Sequence, residues 1–260
     1  MAGVAATAPR LAPATPPCML VRAKTGVPVP ESNTQSLDRI TLLAPLSPEE
    51  RVALARQCAW RRYRPDEQII DHLSDTRDVC FIVEGRVRVV MFSASGREIT
   101  FDDVESGGFI GELSAIDERP RSASVVAISS SLVAMMPPRV FRDMVAGHPQ
   151  VALTLMRRLA AIVRAATERI MDLSTLGANN RVHAELLRLG KPGLQPDNTA
   201  VISPIPVHAD IASRVSTTRE TVARVFSDLT RSKILEKRGQ SLTIKDYARL
   251  EAMVEDVRGE

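Results

Sequence analysis

Within GGFIGELSAIDERPRSASVVA, residues 107–127, Glu112 and Arg121 stand nine positions apart among small, hydroxylated and apolar neighbours. A Gly pair precedes them, and Pro120 comes immediately before the Arg. A guanidinium can hydrogen-bond two oxygens of one anion at once, which the point charge of Lys does less well. Ser122 adds a hydroxyl donor, and backbone N–H groups at the start of a short helix after Gly111 can add more. Glu112 cannot face the same anion without repulsion, so it must face a hydroxyl. Gly111 lets the backbone approach the ligand closely. These residue types in this order are those of a site that holds an anion.

The rest of the composition narrows the chemistry. The chain has 260 residues, 44% hydrophobic and 25% charged, enough for one large domain or two modest ones with real cores. Formal net charge is only +3, so a nucleic-acid site must be a local patch. Cys18, Cys58 and Cys80 are odd in number and widely spaced, which argues for a reducing, cytoplasmic setting and against a disulfide framework. They do not have metal-ligand spacing, and His72, His148, His183 and His208 are scattered, so no metal is expected. No nucleophile–base constellation points to an enzyme. No apolar run is long enough to span a bilayer. Residues 1–36, rich in Ala, Pro and Thr, read as a disordered tail or as sequence ahead of a true start near Met19.

Order begins near Leu37. Ser47 before Pro48-Glu49-Glu50 predicts a helix N-cap, with the helix running to about Cys58. Residues 60–136 break into short strands punctuated by Gly85, Gly96, Gly107 and Gly108, which suits an antiparallel roll or barrel. Glu84-Gly85 and Ser95-Gly96 read as turn dipeptides, so tight hairpins are expected to join most elements. The Glu112–Arg121 segment interrupts the roll between two strands. From Ala152 the period changes: Ala152, Met156, Leu159, Val163, Ala166, Ile170 and Leu173 recur in steps of four and three, a heptad seam. Arg157, Arg158, Arg164, Glu168 and Arg169 lie off it.

The last third reads as a helix from about His208 to Arg214, a turn at residues 215–217, a helix from Thr218 to about Ser232 and two short strands around Gly239. Between residues 205 and 240 there are seven Lys and Arg against four Asp and Glu, which is the local basic patch the modest net charge requires. Ser216 in the turn is expected to need positive φ.

The 107–127 stretch resembles the phosphate-binding cassette of cyclic-nucleotide-binding domains, and residues 37–138 are similar to that domain throughout. TTRETVAR, residues 217–224, is very similar to the recognition-helix motif of the catabolite-activator (cyclic AMP receptor protein) and fumarate-nitrate-reduction regulator superfamily. The resemblance covers roughly residues 37–245. It implies an α+β chain: an N-terminal cyclic-nucleotide-binding β-roll over 37–148, a dimerisation helix over 149–178 and a C-terminal winged helix-turn-helix over 179–260. It further implies a homodimer that binds double-stranded DNA with a two-fold operator and works with RNA polymerase. Cyclic AMP or cyclic GMP is the implied effector, held by Gly111, Glu112, Leu113, Arg121, Ser122 and Ala123. Arg121 would take the phosphate and Glu112 the ribose 2′-OH, with Phe101, Val104 and Leu113 as candidate walls. In the family, residues of the dimer helix reach the base. Alignment from Asn180-Arg181 puts Ala166 and Thr167 there, and only Thr167 keeps a hydroxyl. Arg219, Glu220 and Arg224 would read base edges, while Thr217, Thr218, Thr221 and Lys237 would hold phosphates. Two alternatives remain: another effector, such as haem or an iron–sulfur cluster, and a sensor domain that has lost its ligand.

Overall fold

The computed structural model describes residues 26–29, 36–72, 74–93, 96 and 98–258. Most of the expected N-terminal tail, with Cys18 and Met19, lies outside the described residues, as does Ser95 of the second turn dipeptide. Strand β1, Val27–Pro28, is an exception: it pairs antiparallel with Arg61 and Arg62, so the expectation of disorder fails at those positions.

Helix α1, Pro48–Ala55, starts where the sequence predicts. Ser47 Oγ accepts from the Glu50 amide at 3.2 Å and Glu50 Oε2 accepts from the Ser47 amide at 2.8 Å, a reciprocal capping box with Pro in the first turn. Among the described residues nine strands build the roll. β2 (Ala59–Tyr63), β4 (Val79–Glu84), β7 (Phe109–Ile110) and β9 (Ser131–Met136) join β1 in one sheet, ordered β1-β2-β9-β4-β7. β3 (Gln68–Ile70), β5 (Arg86–Phe92), β6 (Glu98–Glu105) and β8 (Ser124–Ala127) form the other, ordered β3-β8-β5-β6.

The strand order corrects the reading of Glu84-Gly85. β4 and β5 lie in different sheets, so this turn passes the chain between layers and closes no hairpin. Gly85 has φ +87, and a Cβ there would collide with the Ser130 carbonyl and Ser131, so only Gly fits the crossing. Around Gly96, β5 and β6 do pair as a hairpin. The cassette falls between β7 and β8, with α2 (Glu112–Asp117) inside it.

Helix α3 (Pro138–Gly147) leads through His148 into α4 (Pro149–Thr175), the long helix expected from the heptad seam. Val151 and Leu155 sink the base of α4 into the core of the roll. Beyond them Leu159 still packs on the roll's core, but Met156, Val163 and Ile170, seven apart, are 57%, 64% and 64% exposed. The C-terminal part comprises α5 (Ala178–Gly190), β10 (Ala200–Ile202), α6 (His208–Arg214), α7 (Arg219–Arg231), β11 (Leu235–Arg238), β12 (Ser241–Ile244) and α8 (Tyr247–Arg258). Its three strands run β10-β12-β11 beside the helices. Leu176, Val182, Leu186, Ile211, Val222, Val225, Leu229 and Leu250 belong to a core that shares no residue with the clusters of the roll.

Candidate functional site

Gly111 takes the left-handed conformation, φ +84, as the N-cap of α2. A Cβ there would stand 2.6 Å from Arg121 Nη1 and 3.0 Å from the Asp78 carbonyl, so the absence of a side chain is what lets the arginine pass. Arg121 is 3% exposed. Its Nη1 donates to the Gly111 carbonyl at 3.1 Å, and its Nη2 donates to the Asp78 carbonyl at 2.9 Å and to Thr76 Oγ1 at 3.3 Å. Its Nε is buried with no partner among the described residues. An orphaned buried donor on a cation is costly unless something accepts from it, and an anionic ligand does so. Burial pulls the guanidinium below its ordinary value, with the nearby Glu112 charge pulling the other way.

Glu112 opens α2 and is buried. Burial pushes its carboxyl up, against its own amide and the charges of Arg158 and Arg121. Two oppositely charged groups, each desolvated, thus flank one backbone turn. Leu113 is exposed beside them, Ser122 is exposed and Ala123 half-buried. Of the proposed walls, Val104 belongs to the roll's core and Phe101 lies under the Arg169 guanidinium at 5.5 Å.

The long helix meets the cassette through Arg158. Its guanidinium carbon sits 5.0 Å from the Phe109 centroid, its Nη2 donates to the Phe109 carbonyl at 3.4 Å, and its Nε is buried without a partner among the described residues. Thr167 lies nine residues further on, about 13 Å along the helix axis. It is exposed and donates to the Val163 carbonyl at 3.0 Å, so within one chain it stands apart from the cassette.

In the C-terminal part the turn between α6 and α7 adopts the geometry its residues demand. Ser216 has φ +52, and the Thr217 amide donates to the Ala212 carbonyl at 3.0 Å. Thr218 caps α7 instead of entering it, and its Oγ1 accepts from the Thr221 amide at 3.2 Å. Val222, Val225 and Leu229 face the core, leaving Thr218, Arg219, Glu220 and Arg224 exposed and Thr217 and Thr221 partly so. Lys237 is exposed on β11. The α7 N-terminus therefore projects a polar face with two guanidinium groups, the form that enters a DNA major groove.

A family profile described as "Cyclic nucleotide-binding domain" matches residues 60–148, and one described as "Crp-like helix-turn-helix domain" matches residues 180–253. The "Cyclic AMP receptor protein" of Thermus thermophilus is 31% identical over 207 residues, covering 79% of this chain and 93% of that protein. The chain belongs to the cyclic AMP receptor protein family of transcription regulators. Another family member, the "cAMP-activated global transcriptional regulator CRP" of Salmonella typhimurium, is 26% identical over 191 residues, covering 72% of this chain and 90% of its own. A CooA mutant from Carboxydothermus hydrogenoformans has the same fold, with a TM-score of 0.73 and 22% identity over 83% of this chain and 95% of the other.

Several arginines in this cyclic AMP receptor protein family member, Arg158 and Arg181 among them, escape a reading by sequence pattern. Arg158 sits beside the seam, where a cation is ordinary, and no local signal marks its contact with Phe109. Arg181 donates through Nη1 to the Leu176 carbonyl at 2.8 Å, through Nε to the Val215 carbonyl at 2.9 Å and through Nη2 to the Ser216 carbonyl at 3.2 Å. It ties the segment after the long helix to the recognition turn. Among the described residues no group of three or more His, Cys, Asp and Glu could hold a metal ion, and no helix is long and apolar enough to cross a membrane. Burial pushes the Cys58 and Cys80 thiols up to about 12.

Proposed function

We propose that this chain is a cytoplasmic, homodimeric, cyclic-nucleotide-responsive transcription regulator and not an enzyme. The observation that carries the reading is the buried Arg121 with its unpartnered Nε, packed against a left-handed Gly111 and next to the desolvated Glu112. Arg121 takes the cyclic phosphate, with Ser122 and Ala123 at its edge. Glu112 accepts from the ribose hydroxyl, while Gly111 and Leu113 line the sugar. The bare seam of Met156, Val163 and Ile170 supports pairing of two α4 helices, since apolar side chains at heptad spacing gain most by facing a second copy. In such a pair Thr167 reaches the base from the partner's side. Arg219, Glu220 and Arg224 read base edges of a two-fold operator, Thr217, Thr218, Thr221 and Lys237 hold phosphates, and the bound dimer recruits RNA polymerase.

Cyclic AMP is the favoured effector over cyclic GMP, because Ser122 and Thr167 fit it and the named relatives bear that nucleotide in their names. Ala166 removes one hydroxyl from the dimer helix, so the preference is modest. One observation favours a second reading, a sensor without a nucleotide: both terminal nitrogens of Arg121 already donate to the chain's own oxygens. Calorimetric titration of the full chain with each nucleotide separates the two. Saturable heat with cyclic AMP, and weaker heat with cyclic GMP, is expected; no heat with either would favour the second reading.

A further inference from the structure

Arg88 and Asp103 face each other across the β5–β6 hairpin as cross-strand partners. The Arg88 guanidinium donates to both oxygens of Asp103, at 2.7 and 3.0 Å. It also donates to both oxygens of Asp210, at 2.7 and 2.9 Å, and Asp210 lies 122 positions away in the first turn of α6. Arg214, in the last turn of α6, returns the contact with Nη2 at 2.8 Å from Asp103 Oδ2. Asp210, Arg88, Asp103 and Arg214 thus form a chain of ion pairs, a ring whose fourth side is the α6 helix itself, and Arg214 Nε also lies 3.8 Å from the buried Glu185 Oε1. Thr100 Oγ1 and Ser213 Oγ lie 2.8 Å apart beside it. Arg169 of α4 donates to the Thr100 carbonyl at 2.8 Å and the Arg214 carbonyl at 2.6 Å, bridging roll and recognition unit.

Two features make this junction releasable. The contacts that join α6 to β5 and β6 are ion pairs and a hydroxyl hydrogen bond, which water can replace. The ring is dry at one end and wet at the other: the Arg88 side chain is 11% exposed, and that of Asp210 is 33%. The ring also lies on the strand that feeds the cassette, since β6 passes through Gly107 and Gly108 into β7 and then Gly111. Arg158, whose charge bears on Glu112, bears on Asp102 next to Asp103 as well.

We infer that Arg88, Asp103, Asp210 and Arg214 form a latch that holds α6, and with it the recognition helix, against the roll while Arg121 is occupied by the chain's own oxygens. Release of Asp210 frees the recognition unit to meet DNA. The latch itself is independent of the effector, but the trigger for its release rests on the nucleotide reading above.

The test uses the full chain and the duplex that the wild type enriches from a random-sequence pool. Asp210→Asn is expected to tighten nucleotide-free DNA binding about tenfold, within the span of ordinary coupling between sites, and to speed amide exchange in α6 and β6. Removing a negative charge near DNA tightens binding by itself, so Asp228→Asn, an exposed acid outside the ring, is the matched control and is expected to change affinity by about twofold or less. Asp210→Glu keeps the charge and is expected to resemble wild type. Ser213→Ala changes no charge and is expected to shift affinity and exchange in the direction of Asp210→Asn, only less. If Asp210→Asn binds no tighter than Asp228→Asn, or leaves α6 exchange unchanged, the latch is overturned. If Asp210→Asn tightens binding while neither nucleotide alters the wild type, the latch stands and the nucleotide reading falls.

Discussion

The guanidinium of Arg158 lies over the Phe109 ring, 5.0 Å from its centroid, and its charge bears on the buried carboxyl of Glu112. A residue of the long helix is therefore part of the cassette's electrostatics. Arg158→Met keeps the stem and removes the charge. It should weaken cyclic AMP binding by about 0.5–2 kcal/mol, the range for a residue that acts on a site without touching its ligand. Calorimetry on the full chain reads this directly.

Arg121 carries two loads. Arg121→Ala should remove about 2–5 kcal/mol of nucleotide affinity, as for truncating one partner of a buried charge pair. It also strands the Gly111 and Asp78 carbonyls, so urea unfolding should show a loss of about 1–3 kcal/mol in stability. Comparing the two measurements at a temperature where the variant is fully folded separates binding from folding.

Glu112 sets a pH dependence. Burial raises its folded-state value, so the folded chain holds this proton to higher pH than the unfolded chain. Stability should fall as pH rises from the ordinary glutamate value of 4.5 through the raised one, and the cost is fully present above it. Glu112→Gln should flatten this part of the urea midpoint-against-pH curve and be at least as stable as wild type at neutral pH. The same variant should bind cyclic AMP more weakly, because an amide is a poorer acceptor for the ribose hydroxyl.

On DNA, Arg219→Ala and Arg224→Ala should each cost about 1–3 kcal/mol and relax preference at one G·C pair, whereas Lys237→Ala should weaken all sequences alike and lower the salt slope by about one. A panel of mutated operators, titrated at several salt concentrations, distinguishes the two patterns.

The seam is open to a direct test. The wild type is expected to be a dimer in sedimentation equilibrium, and Val163→Asp, which places a charge at the centre of the bare stripe, should be a monomer, with little change in the melting of either core.

The local features of this fold were legible because they depend on neighbours in sequence. Ser47 with Glu50, the positive φ of Ser216, and the heptad step of α4 all follow from residue type and spacing. The recognition turn and both its helices fell within a residue of their expected ends, Thr218 serving as cap. Other features depend on partners far along the chain. Nothing near Gly85 says that its turn changes sheets, since hairpin and crossing use the same dipeptide. α5, β10 and α8 gave no motif, and their role is to bury Val182, Ala200 and Leu250 around the helix pair. Arg88, Arg158, Arg169 and Arg181 were invisible for one reason: apolar periodicity treats a long cation as surface, while here the stems lie flat and the heads find carbonyls, rings or carboxylates.

The length of α4 gives the molecule leverage. Its base is fixed in the roll by Val151 and Leu155, Arg158 stands next to the cassette, and Thr175 lies about 25 Å beyond Arg158 at the approach to the recognition unit. A tilt of roughly 8° about Arg158 displaces that far end by about 3.4 Å, the rise of one base pair. Such a tilt has to break the contacts of Arg169 with the Thr100 carbonyl and the Phe101 ring, so the roll's grip on the middle of α4 limits how far the far end travels.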